Sequence, residues 1–190
     1  MALLKREAVV LWVPQATGNS ALIDDAIRYA NRAAGRYCGR PDGFESASHD
    51  EYFSCRTGQR AIILHHAPVT SITLVQEWAQ EGSATTLAST DYILDGDAGL
   101  LYRDGSAWTP GHEQVRVTYV GGYTEDTLED EEGLRMALLQ LVAYRIGFRG
   151  NVGNVSASTD GESATREETV NGIPRSVASA LAPYCVEETT

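Results

Sequence analysis

Residues 115–148 read VRVTYVGGYTEDTLEDEEGLRMALLQLVAYRIGF, and this stretch decides the fold. Large apolar side chains alternate with polar ones from Val115 to Tyr119, which predicts a strand with one buried face. Gly121-Gly122 ends this strand, because glycine adopts backbone angles that other residues resist. We expect an acidic linker next, followed by a helix from about Leu134 to Phe148.

The predicted central helix carries two apolar stripes instead of one. A helix that is apolar over so much of its circumference is enclosed by other elements or by a partner chain. We therefore interpret the rest of the chain as its cover. The stripes consist of Leu134, Leu138, Leu141 and Phe148 on one side and Leu139, Val142 and Ile146 on the other.

The composition is that of an acidic globular protein, with 190 residues and a net charge of −11 from 26 acidic and 15 basic residues. A protein that wraps nucleic acid is basic, so this charge argues against direct DNA or RNA binding. The acidity fits simple solubility, and it also fits the wall of a passage that repels DNA.

Targeting signals and cysteine usage point to one compartment. No apolar run approaches the ~20 residues that span a bilayer. The run from Ala8 to Val13 is too short for the core of a signal peptide, so we expect residence in the cytoplasm and no membrane contact. Cys38, Cys55 and Cys185 are widely spaced and odd in number, which favours reduced thiols over a disulfide framework.

The chain before residue 59 is expected to be mostly helix and loop. The sequence AVVLWV near the N-terminus is compatible with a short strand or with the first turns of a helix. Asn19 or Ser20 is the expected N-cap of a helix from Ala21 to about Tyr37. Residues 39–58 are polar and rich in glycine, which predicts a loop with a short strand near Tyr52–Cys55. The polar face of the predicted helix consists of Asp24, Asp25, Arg28, Asn31, Arg32 and Arg36.

The segment 59–123 reads as β structure. Strands are expected at Ala61–His65 and Val69–Trp78, and a hairpin at Tyr92–Tyr102 around the turn DGDAG. Because the strands are short and close in sequence, the sheet is predicted to be antiparallel. After the central helix, a glycine- and serine-rich arm precedes a last helix at Arg175–Tyr184.

These elements predict an α+β fold in one domain: a small bundle of three or four helices with an inserted antiparallel β-meander subdomain. The helical part is predicted at 19–58 and 124–190 with a flexible arm at 149–172, and the β-rich insertion at 59–123.

Signals for catalysis are weak. His65-His66 ends a strand, where neighbours point to opposite faces, so we predict no metal site and no cofactor. The acidic run at 125–132 reads as a solvated helix start, and Trp78 and Trp108 read as packing residues. We predict that the protein is not an enzyme. A small carboxylate-based enzyme using Asp95, Asp97 or the acidic run stays as an alternative.

Three short patterns mark the predicted β segment. They are Pro68, Val69 and Ile72, then Asp91, Tyr92, Gly99 and Leu101, and then the strand from Val117 to Tyr123. With the order of elements, these patterns resemble the head–tail connector, or adaptor, proteins of tailed bacteriophages. The likeness covers roughly residues 20–148, with an echo at VASALAPY near the C-terminus. One departure is the acidic run that follows Gly122-Tyr123, where the family commonly has a proline.

The resemblance implies a structural virion component at the neck of the particle, present in the host cytoplasm during assembly. It implies a ring, usually of twelve copies, beneath the portal protein and above a tail-side stopper or tail terminator, with DNA passing through without specific binding. A tail-completion protein or another phage assembly factor is the alternative. The residues we expect at the subunit or portal interface are Leu139, Val142, Ile146, Val155, Ile173, Pro174 and Tyr184.

Overall fold

The structure of the protein is a computed structural model that describes residues 3–78, 83–150 and 169–185. The chain divides into two compact units. One consists of Met1–Glu45 with Thr124–Thr190, and we call it the helical unit. The other, Ser46–Tyr123, is the β unit. Strand β1, at Ala47–Cys55, makes the β unit begin earlier than residue 59.

The β unit contains two antiparallel sheets. Their strand orders are β1-β7-β3-β4 and β2-β6-β5, so the expected antiparallel pairing is confirmed, although strands adjacent in the chain are not always neighbours. The two sheets share one apolar core. The remaining strands are β2 (Ala61–Ile63), β3 (Val69–Trp78), β4 (Ala84–Thr86), β5 (Tyr92–Asp95), β6 (Leu100–Arg103) and β7 (Gly111–Gly121).

Strand β7 is the centre of the larger sheet. It pairs with β1 on one side and with β3 on the other. Its alternating residues Val115, Val117 and Tyr119 are all 0% exposed, which confirms the predicted buried face. The predicted hairpin is also confirmed, because β5 and β6 pair with Leu94 opposite Leu101.

Strand β1 occupies much of the stretch that we expected to be a loop. Its sequence, ASHDEYFSC, shows little apolar alternation, and nonlocal pairing with β7 makes it a strand. Asp50 accepts two hydrogen bonds from the Arg116 guanidinium of β7, at 2.8 and 2.7 Å. A polar strand is thus held by backbone pairing and by cross-strand charge pairs.

The helical unit is built around its longest helix, α4, as the apolar stripes predicted. The stripe residues Leu134, Leu138, Leu141 and Val142 are 0% exposed. Helices α1, α2, α3 and α5 all pack against α4. The helices are α1 (Arg6–Trp12), α2 (Ser20–Tyr37), α3 (Glu125–Asp130), α4 (Glu132–Gly150) and α5 (Arg175–Leu181), with short 3-10 helices at Pro14–Ala16 and Ala182–Tyr184 and a hairpin of β8 (Thr169–Val170) and β9 (Ile173–Pro174).

In the helical unit, one segment was left open between strand and helix, and another differs from expectation. The ambiguous N-terminal run is helix α1, and the acidic stretch expected as a linker contains helix α3. Thr124 and Thr127 form a reciprocal capping box, which satisfies backbone groups at the start of α3. Most of the predicted arm lies outside the described residues.

Helix α2 begins and ends as its sequence indicates. The Asn19 side chain accepts a hydrogen bond from the Leu22 backbone N–H at 3.0 Å, which confirms Asn19 as the N-cap. Asn31, expected on the polar face, is instead 9% exposed. Its Oδ1 accepts from the Phe44 backbone N–H at 2.8 Å, so it holds the segment after the helix. Within the described residues, no helix is both long and apolar enough to cross a membrane.

Gly35 provides a test of this packing. A Cβ at Gly35 would meet the carbonyl oxygen of Arg40 and lie 2.5 Å from the Cα of Gly43. We expect Gly35→Ala to lower the free energy of unfolding by about 1–3 kcal/mol, because backbone atoms cannot easily move aside. The measurement is urea denaturation followed by circular dichroism.

Gly147→Ala is the matched control, because Gly147 is also helical and a Cβ there meets nothing within 4 Å. This variant should gain up to about 1 kcal/mol from helix propensity. Equal effects of the two substitutions would contradict the proposed close packing at Gly35.

Candidate functional site

An arginine stripe runs along one face of α2. Arg28, Arg32 and Arg36 are all exposed and recur every four residues, so their side chains lie about 6 Å apart along the helix. In the described part of the chain, no salt bridge within 4.0 Å involves these three side chains. The stripe therefore presents positive charge on a chain whose net charge is −11.

An open cleft borders the arginine stripe at its first residue. Its volume is about 550 Å³, and it lies within the helical unit. At one wall, Asp24 accepts two hydrogen bonds from the Arg6 guanidinium, at 2.7 and 2.6 Å, and this pair lowers the pKa of the Asp24 carboxyl. The lining residues are Leu3, Arg6, Asp24, Ile27, Arg28, Asn31 and Glu45.

An acidic segment, residues 125–132, forms a second charged surface on the same unit. Lys5 donates to Glu129 at 2.6 Å, and this hydrogen bond lowers the pKa of the Glu129 carboxyl below its usual value. Asp130 and Glu132 are exposed and form no salt bridge within 4.0 Å with another described residue. Acidic side chains at this position also favour the starts of α3 and α4.

Exposed apolar side chains at the end of α1 add a third feature. Leu11 is 85% exposed and Trp12 is 45% exposed. Tryptophan is enriched in protein interfaces because it combines a large apolar surface with one polar group. The sequence analysis missed these two residues, since the run AVVLWV did not show which side would be covered.

The predicted interface residues lie mostly inside the helical unit. Exposure is 3% for Leu139, 0% for Val142 and 7% for Ile146, so α4 directs them towards its own chain. Ile173 and Pro174 are buried in β9, and Tyr184 is half-buried. The Tyr184 hydroxyl donates to Glu131 at 3.2 Å. Val155 lies outside the described residues.

A cluster of polar side chains lies within the β unit. The His49 and His66 rings stack with centroids 3.6 Å apart and an angle of 7°. Glu51 lies 3.2 Å from His65 Nδ1 and 3.6 Å from His66 Nε2. The His66 backbone N–H donates to the Tyr119 hydroxyl at 3.2 Å. The cluster therefore ties β1 and β7 to the turn between β2 and β3.

Competing effects set the pKa of Glu51. Burial alone would raise it, but the hydrogen bonds and charge of His65, with a hydrogen bond from Tyr119, bring the pKa of Glu51 below its ordinary value. A lowered pKa keeps this carboxyl ionised, which suits a fixed structural anchor. It does not suit a general acid, which requires a raised pKa.

The carboxylates of the enzyme alternative are on the surface. Asp95 and Asp97 are exposed in the turn between β5 and β6, and Asp95 Oδ1 accepts from the Ala98 backbone N–H at 3.2 Å. This contact is typical of a turn-forming aspartate. Turn formation therefore explains the aspartates of the β unit, and the starts of α3 and α4 explain the acidic segment of the helical unit. Neither explanation requires catalysis.

The fold is similar to that of chains in the neck of a gene transfer agent particle. In the neck of the empty gene transfer agent (GTA) particle computed with C6 symmetry, a matching chain has a TM-score of 0.58 at 16% identity, over 96% of this chain and 90% of that chain. A chain in the neck of the native particle computed with C12 symmetry has a TM-score of 0.56 at 16% identity, over 97% of this chain and 92% of that chain. A chain in the virion of the native particle has a TM-score of 0.55 at 16% identity, over 91% of this chain and 81% of that chain.

The family follows from a separate comparison. Residues 7–185 match the model of the head completion protein (HCP) family, and the chain belongs to that family. No curated protein matches the sequence. The expected kind of family is thereby confirmed in part: the match is to a head completion family, and the finer assignment to head–tail connectors stays a prediction.

The Glu51 anchor gives a pH prediction. A carboxyl whose folded pKa is lowered contributes stability above its unfolded pKa, and this contribution is lost as the pH falls through the folded pKa. At neutral pH, Glu51→Gln should therefore unfold more easily than the wild type by about 1–3 kcal/mol. The difference should shrink below the ordinary glutamate value of 4.5 and vanish under more acidic conditions.

The measurement is urea denaturation at a series of pH values. Glu113→Gln is the control, because the Glu113 side chain is 60% exposed, and it should leave stability nearly unchanged. A stability difference for Glu51→Gln that stays constant through the acidic range would contradict the role of the charge.

Proposed function

We propose that this chain is a structural component of a particle neck, where copies form a ring that continues the DNA channel from the portal protein towards the tail. The family match over residues 7–185 carries the proposal. The fold likeness to chains of GTA particle necks supports it. We propose twelve copies, because one of those necks was computed with C12 symmetry.

A closed ring requires two different faces on each copy, since each subunit meets one neighbour with each face. The arginine stripe and the acidic segment are suitable partners because their charges are opposite. We propose that the stripe of one copy docks on the acidic segment of the next. Contacts of this kind guide association and fix register, and they weaken with salt.

The remaining partners follow from the same position. The portal protein would lie on one side of the ring, and a tail-side stopper or tail terminator on the other. DNA would pass without specific binding, because the net charge of −11 opposes adhesion to phosphate. Assembly would take place in the host cytoplasm, and the finished protein would reside in the virion neck.

The role of the predicted interface residues stays a prediction, and for most of them we now propose an indirect role. Five of them are covered by their own chain, so they would act by fixing the shape of α4, α5 and β9. Tyr184, which is half-buried, and Val155 stay as candidates for direct contact with a neighbour or the portal. Leu11 and Trp12 add an exposed apolar contribution.

A tail-completion role is the second candidate within the same structural class. Imaging of purified virions separates the two, because our proposal requires the protein at the neck and not at the distal tail. Rings of the purified chain, alone or with portal added, are the first requirement. If electron microscopy shows single copies under both conditions, the ring proposal fails.

Charge reversal tests the docking contact. Arg32→Glu with Arg36→Glu should raise the concentration needed for half-assembly at low salt by at least about tenfold, because two acidic faces then meet. Asp130→Lys with Glu132→Lys should have a similar effect for the opposite reason. A chain carrying all four substitutions should assemble again, because its faces are once more complementary.

The control is Arg56→Glu with Arg60→Glu, which changes net charge equally at exposed positions of the β unit. It should assemble like the wild type. Circular dichroism must show that every variant is folded. If the fourfold variant is folded but stays unassembled while the wild type forms rings, the docking contact is wrong and the ring stands.

A further inference from the structure

Two cysteines from opposite ends of the chain meet in the helical unit. Cys38 follows the last residue of α2, and Cys185 follows the 3-10 helix at Ala182–Tyr184. Their Sγ atoms are 2.8 Å apart across a sequence separation of 147 residues. The two thiols also lie 3.6 and 3.3 Å from the carbonyl oxygen of Leu181.

The surroundings of the two thiols differ. Cys38 is 1% exposed, while Cys185 is half-buried. Burial, followed by contact with Cys185, raises the pKa of the Cys38 thiol far above its ordinary value. Cys185 is therefore the thiol that a reagent in solution can reach, and Cys38 is the thiol that reacts from within the protein.

We propose that Cys38 and Cys185 form an oxidisable pair that a small-molecule disulfide, such as glutathione disulfide, converts into an intramolecular disulfide. The Cys185 thiolate attacks one sulfur of the reagent and releases one thiol. The Cys38 sulfur then loses its proton, attacks Cys185 in the mixed disulfide and releases the second thiol. The protein loses two protons and two electrons, and the reagent gains them and becomes two thiols.

The bond would tie the C-terminal segment to the end of α2. Because α5 and the 3-10 helix after it lie between β9 and Cys185, the cross-link would hold this segment on the helical unit. A reduced pair, as the cysteine count suggests, is the starting state, and exposure to oxidising surroundings closes it. This inference does not depend on the proposed function.

Cys55 is the internal control that the chain itself provides. It is buried in the β unit at 6% exposure, and burial raises the pKa of its thiol to about 11. A buried, protonated thiol reacts slowly with disulfides. It should therefore stay free when the pair closes.

The test incubates the full-length folded chain with defined ratios of glutathione and glutathione disulfide. Free thiols are then blocked with N-ethylmaleimide in denaturant, and the mass is measured. We expect the loss of two hydrogens, one blocked thiol and a cross-linked peptide pair that contains Cys38 and Cys185. Cys38→Ser and Cys185→Ser should each abolish this product, and Cys55→Ser should retain it.

A second measurement shows whether the fold positions the pair. In the native chain, the disulfide should form at a glutathione disulfide ratio at least about tenfold lower than in the same chain in urea, because folding holds the thiols together. The oxidised chain should also melt at a higher temperature, and reduction should reverse the shift. Stable glutathione attachment at Cys185 alone, a bond to Cys55, or equal ratios in both states would overturn the proposal.

Discussion

The apolar circumference of α4 is the constraint on which the helical unit depends. A helix with buried side chains on two sides needs cover from several directions, and no single neighbouring segment supplies it. Helices α1 and α2 come from the beginning of the chain and α5 from its end, and all pack on α4. The two ends of the chain must therefore return to one helix, and the β unit is an excursion between α2 and α3. The contact between Cys38 and Cys185 is one consequence of that return.

The charged side chains of the helical unit fall into two groups: those in ion pairs between helices of the same chain, and the exposed arginines of the stripe. Lys5 and Arg6 engage Glu129 and Asp24, so α1 connects the acidic segment to the start of α2. Further along the same unit, Arg145 lies 3.8 Å from Asp25 and covers the Tyr29 ring at 4.6 Å. These pairs join helices within one chain. The exposed arginine stripe takes no part in these pairs, and its side chains are therefore suitable for contact with another chain.

Sequence predicted the parts of the fold whose pattern is local. The alternation in β7 and the two stripes of α4 were sufficient because burial follows directly from their periodicity. Strand β1 was harder, since its pairing with β7 is nonlocal and its residues are largely polar. Helix α3 was missed because its acidic residues resemble a solvated linker, although Thr124 and Thr127 already carried a capping signal.

The candidate site shows a similar division. The spacing of Arg28, Arg32 and Arg36 was visible in the sequence, because a four-residue repeat places side chains on one helix face. The apolar stripe of Leu139, Val142 and Ile146 was equally visible, but periodicity alone does not distinguish cover by the same chain from cover by a partner. The proximity of Cys38 and Cys185 was not visible, because it depends on how α2 and α5 both meet α4.

The last helix of the chain, α5, depends on the rest of the helical unit for its stability. Helix α5 has seven residues, and a helix of that length is unstable in isolation. Its buried residues Val177, Ala178 and Leu181 find their cover in a unit that the other helices have already built. Detaching it would expose its own apolar face and the part of α4 that it covers, whereas detaching α2 would uncover a larger part of α4. A covalent bond at Cys185 would therefore hold a short helix that depends on packing for its stability, and it would leave the enclosure of α4 by α1 and α2 unchanged.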